Sequence, residues 1–399
     1  MSKGRVCRFS LTYFSVASPM LVRLRTSMLS KKKALVLGAE RMIIENLQKE
    51  FVEQIVFRAI QCNAIYDRYL LGTALARPII ARAQVRVAEK CNCNLLSHGC
   101  AGKGNEYGTF HHEKNPIHRS LTEPLSQVRF ELAFKACNPS IKVIAPWRLP
   151  EFCEKFQGRQ DLLKFTAENN IPVSSTPKVP WSQDENLVHC SYEAGILEDP
   201  DHTPPKDLWT QTVDPLEAPD KPLDFTVYFE KGLPVKVATP DQQATDSVEL
   251  FKLLNKIGHD HGVGRIDIVE NRWIGLKSRG CYDTPGLTIA RLADVDLEGL
   301  VLDSKVRKLR DKFVTIEWSQ CLYYGMSLLN VHLGAYKGNV YVLGRSSETS
   351  SLYSQDDTSM GSLDTFSPMD STGSIAIQSI RLEKYGAQKA KDGQPLSQS

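Results

Sequence analysis

The stretch Ser97-His98-Gly99-Cys100-Ala101-Gly102-Lys103-Gly104-Asn105 restricts the architecture more than any other part of the chain. Three glycines around a lysine, directly after the apolar run 94–97, suit a backbone that leaves a strand and wraps an anion. Its N–H groups can aim inward while Lys103 adds a point charge. Gly104 rather than Ser or Thr follows the lysine, so the P-loop pattern is not met, and a tight strand-to-helix connection uses the same residue types. In an open parallel sheet, ligands sit at the carboxyl ends of strands, which ties the segment to an α/β fold.

Periodicity supplies the surrounding layers. Residues 41–45 form a short apolar run suited to a buried strand, and 47–61 follow with Phe51, Ile55 and Ala59 on one helical face. Pro78 suits the first turn of a helix over 79–88. Residues 141–145 suit another strand and 160–169 another helix. Beyond Pro172 hairpins take over: 224–230 and 233–238 flank a Lys231-Gly232 turn, and 331–336 and 340–344 flank Lys337-Gly338-Asn339. Residues 247–257 read as an amphipathic helix with Leu250, Leu253 and Leu254 inward, and 375–390 as a closing helix. The reaches 199–222 and 346–373 carry loop composition.

Composition narrows the class. A chain of 399 residues, 42% hydrophobic, is long enough for one large or two medium cores, and a net charge of +3 does not point to nucleic acid. Ten cysteines at these spacings make neither a disulfide framework nor a zinc site, which fits a reducing compartment. The sequence lacks an apolar run long enough to span a membrane. Residues 1–30 hold no Asp or Glu but several Arg and Ser, the composition of a transit peptide or of an unrelated upstream segment. His111, His112 and His118 with Glu106 and Glu113 lack helical spacing, so no metal site is assigned.

Other motifs stand in a fixed order around the glycine stretch: Arg68-Tyr69-Leu70-Leu71-Gly72-Thr73, Gln127-Val128-Arg129-Phe130-Glu131, Ile141-Lys142-Val143-Ile144-Ala145-Pro146-Trp147, Pro180-Trp181-Ser182-Gln183-Asp184-Glu185-Asn186, Ser191-Tyr192-Glu193-Ala194-Gly195, Gly264-Arg265-Ile266-Asp267-Ile268-Val269-Glu270-Asn271-Arg272 and Ser278-Arg279-Gly280-Cys281-Tyr282-Asp283. In kind and sequence they resemble the argininosuccinate synthase family, from near Lys31 to near Lys384. The resemblance implies an α/β protein: a truncated parallel-sheet nucleotide-binding domain like the adenine nucleotide alpha hydrolases, an α+β synthetase domain and a C-terminal helix. It divides the chain into a non-family segment 1–30 without order, a nucleotide-binding domain 31–172 interrupted at 106–125, a synthetase and multimerisation domain 173–373, and a helix and tail 374–399.

The implied activity is the joining of citrulline to aspartate with release of AMP and pyrophosphate, in arginine biosynthesis and the urea cycle. ATP would be a substrate, accompanied by magnesium; the protein would be a cytosolic homotetramer without nucleic-acid or membrane partners. Transfer of AMP to the ureido oxygen makes it a leaving group, so no nucleophilic side chain is needed and positioning carries the catalysis. By resemblance, citrulline is held by Tyr69, Asn105, Arg129, Ser182, Ser191, Glu270 and Tyr282, and ATP by Ser97, His98, Gly99, Cys100, Ala101, Gly102, Lys103, Gly104 and Asn105. Aspartate falls to Ala101, Asn105 and Ser126. Arg129 has the planar fork that a carboxylate takes, and Glu270 the charge for an ammonium. Read without the family, Glu270 beside Arg272 is also a surface ion pair and Ser182 a helix cap.

The chain departs from the family at several points. The family's opening Ser-Gly-Gly-Leu-Asp-Thr-Ser loop, which grips the ATP phosphates, is missing. Ala74, Ala101 and Ser126 stand where the family has serine, threonine and aspartate, each lost polar partner costing about 1–3 kcal/mol. Residues 106–125 separate Asn105 from Ser126, and the reach from Trp318 to Val331, bridged by Cys321-Leu322-Tyr323-Tyr324-Gly325, is shortened. Two further outcomes therefore stay open: a non-catalytic subunit that keeps the oligomer surface and part of the citrulline pocket, and a nucleotide-binding module of other activity.

Overall fold

The computed structural model describes residues 10–15, 34–35, 37–100, 125–156, 159–171, 181–271 and 277–325, with 375, 383, 386–387 and 389–391. The hairpin expected over 331–344, most of the C-terminal helix and the insertion up to residue 124 lie outside the described residues.

Strand β1 (Ser10–Ser15) pairs in parallel with β2 (Arg41–Asn46), from Ser10 opposite Arg41 to Ser15 opposite Asn46. Residues 10–15 of the opening segment thus lie as a strand beside β2. β2 is also less buried than its apolar run suggests, with Ile44 43% exposed.

Three consecutive helical stretches, Gln48–Phe51, Val52–Val56 with wider π turns and Phe57–Gln61, make up α1, and its expected inward residues Phe51, Ile55 and Ala59 are buried. Helix α2 (Gly72–Lys90) begins well before Pro78, which lies inside it rather than in its first turn. The earlier start follows from Leu71, held at φ 63°, whose carbonyl accepts the Leu75 N–H and opens the helix there. Glu50 of α1 ties the two helices by accepting from Arg82 at 2.6 Å and Arg86 at 2.7 Å.

β3 (Leu95–Ser97) pairs in parallel with β4 (Lys142–Ile144), and α3 (Leu125–Cys137) lies between them in sequence. α4 (Pro150–Lys155) and α5 (Arg159–Glu168) follow. The second half builds an antiparallel sheet from β5 (Ser182–Asn186), β6 (His189–Glu193) and two later strands. The expected hairpin is β7 (Thr226–Glu230) and β8 (Leu233–Ala238), joined through Lys231 and Gly232, both at positive φ as a two-residue turn requires. β9 (Gln243–Ala244) completes that three-stranded sheet.

Helix α6 (Ser247–Asp260) opens on Asp246, whose carboxylate accepts the N–H of Val248 and Glu249, and it buries Leu250, Leu253 and Leu254. β10 (Arg265–Asn271) and β11 (Lys277–Asp283) give the sheet order β10-β11-β6-β5. α7 (Pro285–Val301), α8 (Ser304–Arg310), the π-turned α9 (Asp311–Trp318) and α10 (Ser319–Tyr323) close the described chain. The principal core is shared between halves: Phe51 and Ile60 of α1 and Leu75 of α2 pack in one cluster with Phe251 and Leu254 of α6, Leu287 and Ala290 of α7, and Leu322. A smaller cluster joins Val85 of α2 to Phe130 and Phe134 of α3 and to Ile141, while Ile375 packs on Val128, Leu132 and Ala136.

Candidate functional site

Glu270 and Tyr282 meet because of how β10 and β11 pair. In this register Ile266 faces Tyr282, Ile268 faces Gly280 and Glu270 faces Ser278, so Tyr282, Gly280 and Ser278 alternate onto one face with Glu270. Gly280 has no side chain to block the space between them; a Cβ there would stand 2.3 Å from the Tyr282 hydroxyl. The ring therefore lies along its own strand, and its hydroxyl donates to Glu270 Oε1 at 2.8 Å. Glu270 is 1% exposed, so it is not the surface ion pair that its charged strand also allows.

A second phenol reaches the same oxygen. Tyr323, the last residue of α10, donates to Glu270 Oε1 at 2.8 Å. Its backbone carbonyl accepts Nε of Arg129 at 2.8 Å and a terminal nitrogen of that guanidinium at 2.5 Å. Arg129, carried on α3, is buried. Tyr69 stacks on Tyr282 at 4.2 Å between centroids, and its hydroxyl accepts the Thr73 N–H at the start of α2. Burial pushes the Tyr69 phenol up to about 12, and that of Tyr282 well above its ordinary value, so both stay protonated donors.

β6 brings Ser191 opposite Tyr282, and Ser191 Oγ donates to the Asp184 carbonyl at 3.4 Å. Ser182 opens β5 opposite Glu193 and precedes no helix, so the capping role is excluded. Asp184 on that strand pairs with Arg77 of α2. Beside them, His189 approaches Thr73 Oγ1 at 3.1 Å; burial, then Arg77 and Arg129, hold its imidazole down to about 3, so it is neutral.

On the other side, β3 delivers Ser97, His98, Gly99 and Cys100; residues 101–105, including Ala101, Gly102, Lys103, Gly104 and Asn105, lie outside the described residues. The His98 ring does not face outward: its Nε2 bonds Glu131 Oε1 at 2.8 Å, and Arg148 donates to that oxygen at 2.6 Å. It anchors the stretch from below. Gly99 is exposed with nothing within 4 Å of an added Cβ, while Cys100 is buried and its thiol pushed up to about 11 by that burial. The Ser126 backbone belongs to the first turn of α3. Ala74 is fully buried in the principal core.

Two family models match the chain. The arginosuccinate synthase N-terminal HUP domain matches residues 26–124 and 118–172, and the arginosuccinate synthase C-terminal domain matches 181–330 and 328–385. The chain belongs to the argininosuccinate synthase family. Among its curated relatives, the argininosuccinate synthase of Schizosaccharomyces pombe is 50% identical over 88% of this chain and 86% of its own length. That of Saccharomyces cerevisiae is 48% identical over 92% and 89%, and that of Homo sapiens 44% identical over 91% and 88%. The two parts of the N-terminal match overlap at 118–124, within the reach 106–125, and those of the C-terminal match at 328–330, at the end of the shortened reach.

Sequence reasoning missed Tyr323, His189 and Glu131, which the fold places against the expected site residues Glu270, Tyr69 and His98. The available signal was polar residues inside otherwise apolar motifs: two tyrosines in 322–325, and Glu131 directly after Arg129-Phe130.

Proposed function

We propose that this chain binds citrulline at Arg129, Glu270, Tyr282, Tyr69, Ser182 and Ser191 and ligates it to aspartate at the expense of ATP, at a rate far below that of an intact family member. The observation that carries the reading is the joining of a buried carboxylate and a buried guanidinium through Tyr323, which supplies opposite charges for the ammonium and carboxylate of one amino acid.

ATP is the co-substrate, and the stretch from Ser97 to Asn105 is the proposed cradle for it. Magnesium travels with the phosphates and needs no all-protein cage. When bound, ATP supplies the adenylyl group that turns the ureido oxygen into a leaving group. The residues of this chain hold the amino acid, exclude water and keep His189 neutral. The aspartate side, assigned to Ala101, Asn105 and Ser126, has lost a hydroxyl and a carboxylate relative to the family, which weakens capture of that substrate's ammonium. Residues 106–125 part Asn105 from Ser126, which disturbs alignment of the substrates; positioning contributes roughly 7–11 kcal/mol in favourable cases, so its partial loss costs several powers of ten in rate.

We place the protein in the cytosol, in line with its cysteine spacing, as a homotetramer. An apolar strip along α7 to α9, with Leu300 84%, Leu309 60% and Ile316 61% exposed, supports contact between copies. A non-catalytic subunit is the second reading, favoured by Ala74 and Ser126 at substrate positions. The deciding experiment is AMP and pyrophosphate release that depends on both citrulline and aspartate: slow, doubly dependent release supports the ligase, and its complete absence with citrulline binding retained supports the non-catalytic subunit.

A further inference from the structure

Tyr323 occupies a position that neither sheet nor nucleotide-side helices provide. Its ring is 1% exposed, lies parallel to Tyr66 at 4.1 Å and 6°, and stands edge-on to Tyr69 at 6.0 Å. The Arg129 guanidinium lies 5.1 Å from its ring centroid. One residue therefore touches both charged groups: through its hydroxyl the carboxylate of Glu270, and through its carbonyl the fork of Arg129.

We propose that Tyr323 is the positioning residue of the amino-acid pocket, setting the distance and orientation between the group that reads the ammonium and the group that reads the carboxylate. The inference rests on the citrulline reading above. Two phenols on Glu270 Oε1 fix the plane of that carboxylate, since Tyr282 approaches along β11 and Tyr323 from α10. Two guanidinium N–H groups on one carbonyl fix the fork of Arg129. The chain then turns away through Gly325 at φ 75°, where an added Cβ would stand 2.9 Å from Arg129 Cγ and 3.0 Å from its Cα. A residue other than glycine there must displace α3 or the arginine itself.

The test is equilibrium binding to the full-length chain of citrulline and of 5-ureidopentanoate, which keeps the ureido group and carboxylate but lacks the ammonium. Tyr323→Phe keeps the ring stack and the carbonyl and removes the hydroxyl that bonds Glu270. Citrulline affinity is expected to fall about tenfold, the scale of one hydrogen bond to a charged group, while affinity for the des-amino ligand stays within about twofold. A merely structural tyrosine would weaken both ligands alike, and an equal loss or no loss overturns the proposal. Gly325→Ala acts from the other end: both ligands carry the carboxylate, so both are expected to weaken together, and retention of both overturns the arginine half. If the unmodified chain binds neither ligand, the citrulline reading itself fails; if it binds citrulline and Tyr323→Phe leaves the ratio unchanged, only the role of Tyr323 fails.

Discussion

Replacing Gly280 by alanine probes the junction between sheet and site with a single methyl group. The new Cβ would lie 2.3 Å from the Tyr282 hydroxyl and 2.5 Å from its Cζ, inside any permitted contact, while the ring is 2% exposed and stacked on Tyr69. Tyr282 must swing away. It loses a bond to a buried carboxylate worth about 1.5–3 kcal/mol and much of an aromatic pair worth about 0.5–1.5 kcal/mol. Forcing a methyl into a packed interior adds roughly 1–3 kcal/mol. A destabilisation of about 4 kcal/mol is expected from urea unfolding at fixed protein concentration, seen as a lower midpoint with unchanged slope. Tyr282→Phe, which removes only the hydroxyl, separates the bond from the crowding and is expected to cost about half as much. If Gly280→Ala unfolds within about 0.5 kcal/mol of the unmodified chain, the close approach that brings Tyr282 to Glu270 is wrong.

Excising 106–125 and changing Ser126 to Asp is expected to raise citrulline- and aspartate-dependent AMP release by at least an order of magnitude over the unmodified chain, measured by coupled AMP assay; no gain would shift the defect to the shortened reach after Trp318. Asp294 has its carboxyl raised from 3.8 to about 7, by burial and then by Glu298 against the opposing Arg310. The folded state holds that proton longer than the unfolded chain, so its contribution to stability falls as pH rises from about 4 to 7, and Asp294→Asn is expected to flatten that fall in pH-dependent unfolding. Asp246→Ala leaves the first N–H groups of α6 without their cap and is expected to cost about 1 kcal/mol by the same unfolding assay.

What the sequence disclosed and what it hid divide along contact range. Helix α6 was legible because Leu250, Leu253 and Leu254 repeat at helical spacing, and β7 and β8 because Lys231-Gly232 separates two strand-like runs. Arg129, Glu270 and Tyr282 came from motif order, and their grouping agrees with it. Tyr323 was read only as part of a bridge, since its partners lie 53 and 194 positions away and no local pattern encodes them. Pro78 misled because a proline at a helix start is the common local solution, whereas packing on both sides of α2 sustains a helix across it. The pairing of β1 with β2 was hidden in a segment read from its charge composition alone.

The shared core has a consequence for how the chain is made. Phe51 and Ile60 have part of their cluster nearby, in Leu75 and Ile79, but Phe251, Leu254 and Leu287 are made only some two hundred positions later. At ribosomal speeds of roughly 5–20 residues per second, α1 waits on the order of ten seconds or more with its apolar face only partly matched. A product stopped at residue 172 never receives those partners, so the nucleotide-side half made alone is expected to aggregate, and supplying the second half as a separate chain during synthesis is expected to return it to solution.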